Sequence, residues 1–380
     1  MSKNTKIILG IIIAAVIIGG ICWAARREAA APVVEEVNIG FIGPLSGNAV
    51  NIGESIKKAI VLAVDEINSQ GGIKGKRIKM IYEDGKCSNK DAVNAAQKLI
   101  NIDKVKVIIG GICSGETLAV APIAEQNKVV LITPASASTD VTQAGDYVFR
   151  NTVSDAVGTE ILANYIIKNN KSASIISEQA DYSQGWRQLF IENFSKLGGE
   201  ILNDESYLQD TRDFRSILTK IKSGTPNVLI INPQTDITGG NIIRQAREMG
   251  VNAPLYGNNV CSGAKSIENA GSSIEGMILL SLPNLDMQNP KAKNLIDKYK
   301  QSYGEITWSE LHLGSAYDNV YILSEAISNV GYNAEEIKNY LYNMNYSGTI
   351  GTYNFDKNGD AVGIEFAIKT VKDKKLVDVD

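Results

Sequence analysis

From residue 37 onward, short runs of apolar residues alternate with longer stretches in which apolar positions recur every three or four residues. The runs at 37–42, 78–82, 105–109 and 129–132 read as buried strands. The stretch 55–68 places Ile56, Ala59, Ile60, Ala63, Val64 and Ile67 on one helical face, and 91–100 and 116–126 are also expected to be helical. The rhythm restarts after Arg150, with helices at 154–167, 184–194 and 240–249 and strands at 174–176, 228–232 and 274–280. Strand–helix alternation implies parallel sheet covered on both faces. Two helical stretches, 291–303 and 311–329, follow Pro283 with no strand nearby and are expected to pack back onto the first half. The fold class is therefore α/β, with two Rossmann-like lobes on parallel-sheet cores joined by a multi-strand hinge. The first lobe spans 37–153 and 283–358, and the second spans 154–282 and 359–380.

Ahead of this body, Lys3 and Lys6 precede an unbroken apolar run at 7–25 that ends before Arg26-Arg27. About nineteen residues suffice to cross a bilayer as one N-terminal apolar helix. A cleaved export signal has a shorter apolar core and a small-residue cleavage site. Cys22-Trp23-Ala24 is a poor site of that kind, which favours an anchor and leaves a cleaved signal open. Residues 1–27 are thus a signal or membrane anchor and 28–36 a short Ala/Pro/Glu linker. Either alternative places the body outside the cytoplasm, in a periplasm or at the cell surface.

Composition narrows the chemistry. Against 42 acidic residues stand 38 basic ones, a net charge of −4, which is the wrong sign for a nucleic-acid partner. The only histidine is His312, so a His-based catalytic dyad or multi-His metal site is disfavoured, and His312 reads as a packed residue at a helix start. The four cysteines form no CxxC pair, and no cofactor motif is present; Gly71–Lys76 has the wrong spacing for a phosphate loop.

The candidate chemistry lies beyond the strand ends. In an open parallel sheet, ligands bind past the carboxyl ends of the strands. Ser114 follows one such end, in Gly110-Gly111-Ile112-Cys113-Ser114-Gly115, and is placed to cap the helix at 116–126. Free N–H groups at a helix start suit a carboxylate. The next strand ends in the small residues Thr133 to Thr139, among them Ala135, Ser136 and Ala137. Both features also fit plain caps and turns. The same turn has the spacing of a nucleophile elbow with Cys113 as nucleophile, but no base other than His312 exists to make the thiolate. Cys87 follows the neighbouring strand end, so a Cys87–Cys113 disulfide is expected in an oxidising compartment.

These residues, taken with their neighbours, resemble a known family. Gly40-Phe41-Ile42-Gly43-Pro44-Leu45-Ser46-Gly47, Asp65-Glu66-Ile67-Asn68, Gly71-Gly72-Ile73-Lys74-Gly75, Thr133-Pro134-Ala135 and Val148-Phe149-Arg150 with Ser154-Asp155-Ala156 occur in its order. So do Asp181-Tyr182, Ile243 to Arg247 and Asn354 to Asp360. From 37 to about 371 the chain resembles the branched-chain amino-acid-binding proteins of ABC transporters, which have the type I periplasmic binding fold. The resemblance implies a monomeric, non-enzymatic receptor that closes two lobes on an amino-acid-like ligand and serves an ABC permease. It also supports the Cys87–Cys113 bond. It implies that Ser114 and the backbone at Ala135 hold the ligand carboxylate and that Tyr182 closes from the second lobe.

The departures concern the amine. Ala137 stands where Thr or Ser is usual, with hydroxyls instead at Ser136 and Ser138, and neutral Asn259 stands near an expected acidic residue. Asp236 and Asp181 are candidate substitutes. Near Gln234 an expected aromatic is missing, and Ile52 replaces another. A ligand-sensing receptor for an amide or small organic acid is the alternative reading.

Overall fold

Both parallel sheets adopt the same strand order in the computed structural model, which describes residues 3–5, 16 and 35–379. In the first half, β1 (Glu36–Gly43), α1 (Val50–Ser69), β2 (Arg77–Asp84), α2 (Asn89–Asn101) and β3 (Val107–Gly110) come first. They are followed by α3 (Ser114–Asn127), β4 (Val130–Thr133) and β5 (Val148–Arg150). The sheet order is β2-β1-β3-β4-β5 and every pairing is parallel. Side chains alternate across the pleat, so Ile39 and Phe41 join the core under α1 while Ile42 joins the core under α2 and α3.

The second half repeats the plan with α4 (Asp155–Ile167), β6 (Ser172–Glu178), α5 (Asp181–Lys196), β7 (Glu200–Tyr207), α6 (Arg215–Ser223) and β8 (Val228–Asn232). Then come α7 (Asp236–Glu248), β9 (Leu255–Gly257), α8 (Ala264–Ala270) and β10 (Ile278–Ser281). Its parallel strands run β7-β6-β8-β9-β10, the first-half order over again.

Three helices follow: α9 (Pro290–Tyr303), α10 (Glu310–Val330) and α11 (Ala334–Asn343). Ala292, Leu295, Leu313 and Ala316 of α9 and α10 share one core with Ile56, Ala59 and Ile60 of α1. A small antiparallel sheet of β11 (Tyr346–Gly348), β12 (Gly351–Phe355) and β13 (Ala361–Val362) comes next. Finally β14 (Ala367–Lys372) and β15 (Lys375–Asp378) extend the second sheet beyond β10 as antiparallel strands.

The chain therefore passes between halves after β5, after β10 and after β13. These passages lie side by side. Arg150 N donates to Gly359 O at 2.8 Å, and Ser281 pairs with Ala367.

Several element limits differ from those read from the sequence. The strand expected at 274–280 begins only at Ile278, because Ile274 closes a 3-10 turn and Gly276 turns the chain at φ +72°. The helix expected at 240–249 starts at Asp236, capped by Thr235, whose Oγ1 accepts from Thr238 N. The helix expected at 184–194 starts at Asp181, which places Tyr182 in its first turn. The run at 7–25 lies, Val16 apart, outside the described residues. Among the described residues no helix is long and apolar enough to cross a membrane.

Candidate functional site

Repetition of the β2-β1-β3-β4-β5 order gives each half a switch point, where successive crossovers leave opposite faces of the sheet and open a crevice at the strand ends. In the first half that crevice lies between β1 and β3, at the turn 110–113. Gly110 is held at φ +141°, with a hypothetical β-carbon only 2.1 Å from Ile42 O, so only glycine lets β3 leave the sheet this close to β1.

The turn is then fastened to α3. Glu116 is fully buried and its carboxylate accepts N–H groups from Ile112 at 3.0 Å, Cys113 at 3.0 Å and Cys87 at 2.9 Å. Burial pushes its carboxyl up to about 7, against the pull of those three donors. Cys113 is bonded to Cys87, with Cα atoms 5.4 Å apart, so its sulfur is not available as a nucleophile. The cap differs from the expected one. Cys113 takes the N-cap position and Ser114 is the first helical residue. The cap is a capping box, in which the Cys113 sulfur takes the Glu116 N–H and the Glu116 carboxylate reaches back to the Cys113 N–H. The Ser114 hydroxyl instead accepts from Ser138 N at 3.2 Å, which leaves its own proton free.

A small cavity lies between the halves at this point. Ile52, Ile112, Cys113, Ser114, Ala135 and Ala137 line it from the first half, and Tyr182, Gln234, Asn259 and Val260 from the second. Trp308 and His312, from the segment that returns to the first half, close it. Ser114, Ala135, Ala137, Tyr182, Gln234 and Asn259 are thus brought together. Ser136 is not among them. Its Oγ turns into the protein and bonds Gly111 O at 3.0 Å and Thr117 Oγ1 at 2.6 Å, because the loop after β4 needs those groups satisfied. Two wider, solvent-open grooves flank the cavity, one past Asn89 and Gln209 and the other past Ser262 and Glu305.

The second half supplies dipoles to the wall. Tyr182 Oη donates to Asn259 Oδ1 at 2.9 Å, which leaves Asn259 Nδ2 without a protein partner. The Gln234 side-chain amide is also unpartnered. The two acids named as substitutes for the missing charge are engaged elsewhere. Asp236 accepts from Asn51 Nδ2 at 3.1 and 3.2 Å and from the Lys265 and Ile237 amides. Asp181 accepts from Asn89 Nδ2 at 2.9 Å. With Arg212 Nη2 on Asn48 Oδ1 at 2.9 Å, these contacts bond one half to the other.

A different acid stands behind the wall. Asp155 is fully buried, and both its carboxylate oxygens lack a partner. Its N–H donates to Ala137 O at 2.9 Å, and when ionised it adds to the effect of burial in raising the Tyr182 phenol. Burial raises its carboxyl well above the usual range, while Arg150 opposes the rise. Its place in Ser154-Asp155-Ala156, at the first passage between halves, was the available sequence signal. Trp308 and His312 had none, being far along the chain from the other wall residues.

A crevice between two like α/β halves, with its polar groups aimed at a small solute, defines a solute-binding protein. The family model "Periplasmic binding protein" matches residues 36–375, and the chain belongs to that family. Family membership places the folded body outside the cytoplasm. A Leu/Ile/Val-binding protein homolog of Brucella melitensis is 26% identical over 367 residues, covering 95% of this chain and 98% of that protein. The structure of a leucine-binding protein from Thermotoga maritima superposes with a TM-score of 0.81 at 29% identity, covering 90% of this chain and 97% of that one. A branched-chain amino-acid transporter substrate-binding protein from Streptococcus pneumoniae, solved with isoleucine, has the same TM-score and identity, over 90% and 98% of the two chains.

Proposed function

We propose that this protein is the solute receptor of an ABC importer and binds an α-amino acid, of branched-chain type or related, between its two halves. The observation that carries the reading is the convergence of Ser114, Ala135, Ala137, Tyr182, Gln234 and Asn259 on one cavity at the switch point. The ligand carboxylate takes the Ser114 hydroxyl and the free first-turn N–H groups of α3, where the helix dipole is positive. Tyr182 and Asn259 close over it from the second half. The ammonium sits on the Ala135–Ala137 side, where its approach favours ionisation of Asp155, the buried acid behind Ala137 that has no partner for either oxygen. We take the lobe limits as 37–153 with 283–358, and 154–282 with 359–380; the passages after β5 and β10 support the first two limits, while the third passage, after β13, lies a few residues past 358. The run at 7–25 tethers the body to the membrane beside its permease or serves as its export signal.

The test is a thermal-shift screen followed by calorimetry, using α-amino acids beside the matching amines, amides and carboxylic acids. At least one α-amino acid should raise the melting temperature, and its deaminated and decarboxylated analogues should not. Silence of every amino acid with a response to amides or aromatic acids would replace this reading with the sensor alternative.

A further inference from the structure

His312 is buried, 4% exposed, and lines the cavity. Its Nδ1 lies 3.1 Å from the Trp308 indole nitrogen, and the two rings stack with centroids 6.2 Å apart. An indole N–H can only donate, so Nδ1 must be the unprotonated acceptor. The neutral ring then carries its proton on Nε2. Burial holds the imidazole at about 4, so this tautomer persists at neutral pH. Nε2 has no protein partner. The chain's single histidine thus carries one fixed, unsatisfied donor, and it lines the cavity together with the apolar Ile52, Ile112 and Val260.

We propose that His312 is the specificity-determining residue of the site, its Nε2–H donating to a hydrogen-bond acceptor on the ligand's side chain. The preferred solute is then an amino acid whose side chain carries a hydroxyl or carbonyl oxygen, not a purely aliphatic one. This rests on the reading of the cavity as an α-amino-acid site. The physical reason is asymmetric. An aliphatic side chain of the same shape fills the same space but leaves a buried donor unpaired, a loss of roughly five- to hundred-fold in affinity. Trp308 acts as a positioning residue, since its N–H selects the tautomer.

Calorimetry on the full chain with near-isosteric pairs tests the proposal: valine against threonine, leucine against asparagine, and homoleucine against glutamine. At least one polar member should bind ten-fold or more tightly than its aliphatic counterpart. His312→Phe should abolish that ratio, and His312→Gln, which keeps a donor near the Nε2 position, should restore part of it. Aliphatic members binding as well as or better than the polar ones in all three pairs overturns the role of His312 while leaving the amino-acid reading intact. A ratio unchanged in His312→Phe overturns it equally. Binding of no α-amino acid overturns the underlying reading and this proposal with it. The wild-type ratios decide the matter even if a variant fails to fold.

Discussion

Tyr182 Oη donates to Asn259 Oδ1 across 2.9 Å, joining the first turn of α5 to the 3-10 turn after β9 on the second-half wall of the cavity. Both residues are nearly fully buried, so neither end of this bond is traded for water. Removing the hydroxyl leaves a buried amide oxygen unmatched and frees the ring to shift. Tyr182→Phe should weaken ligand binding by about five-fold and also lower folding stability by on the order of 1 kcal/mol. Calorimetry beside a thermal melt separates the two effects; unchanged affinity would remove Tyr182 from the site.

The bonds from one half to the other should control closure more than folding. Asn51→Ala and Asn89→Ala each remove one bond between the halves, to Asp236 and to Asp181. Each should favour the open form, raising the radius of gyration in small-angle scattering without ligand and lowering affinity about three- to ten-fold. Equal scattering for both variants and the parent would show that these contacts do not bias closure.

The Cys87–Cys113 bond closes a loop with a sequence separation of 26 residues. The chain-entropy relation puts its contribution near 3.5 kcal/mol. A Cys87→Ser, Cys113→Ser double variant should lose about that much in urea unfolding, and ligand affinity should fall with it, since the bond ends at the N-cap of α3. A reducing agent should act on the parent in the same direction and have no effect on the variant.

Glu178, at the end of β6, is buried with Oε1 unpartnered, and burial pushes its carboxyl up to about 7 from an ordinary 4.5. The Gln234 backbone N–H and the Tyr207 hydroxyl partly oppose the rise. The folded protein therefore holds a proton that the unfolded chain has already released between those values. Its contribution to stability is fully present below about pH 4 and is lost as pH climbs through 7. Stability measured from pH 5 to 8 should fall more steeply for the parent than for Glu178→Gln, by on the order of 2 kcal/mol. Parallel curves would mean that Glu178 stays ionised in the folded state.

Much of this architecture could be read from the alternation of apolar runs, because central strands such as β3, β4 and β8 are buried on both faces and are apolar up to their last residue. The edge strand β7 and the short interior strand β9 could not. β7 carries Glu200, Asp204 and Glu205 on exposed or half-buried positions, and β9 is three residues long, so neither shows an apolar run. At the site, residues adjacent to predicted strand ends were found, since topology alone sends them to the crevice. Ser136 was expected there but faces inward, because its side-chain direction depends on which carbonyls the loop must satisfy. Trp308 and His312 arrive from the third segment of the chain, and periodicity within one segment carries no information about such contacts.

The three passages between the halves have a mechanical consequence. A single connecting segment would let two bodies swivel as well as bend. Here Arg150 joins the first passage to the third through Gly359 O and, by an ion pair at 2.6 Å, through Asp360, while Ser281 paired with Ala367 joins the second to the third. Three segments fastened in a row resist torsion and leave flexion about their common line as the soft coordinate. Thermal motion of the empty receptor is thereby steered onto the path that opens and shuts the crevice, so the two walls meet again in register each time.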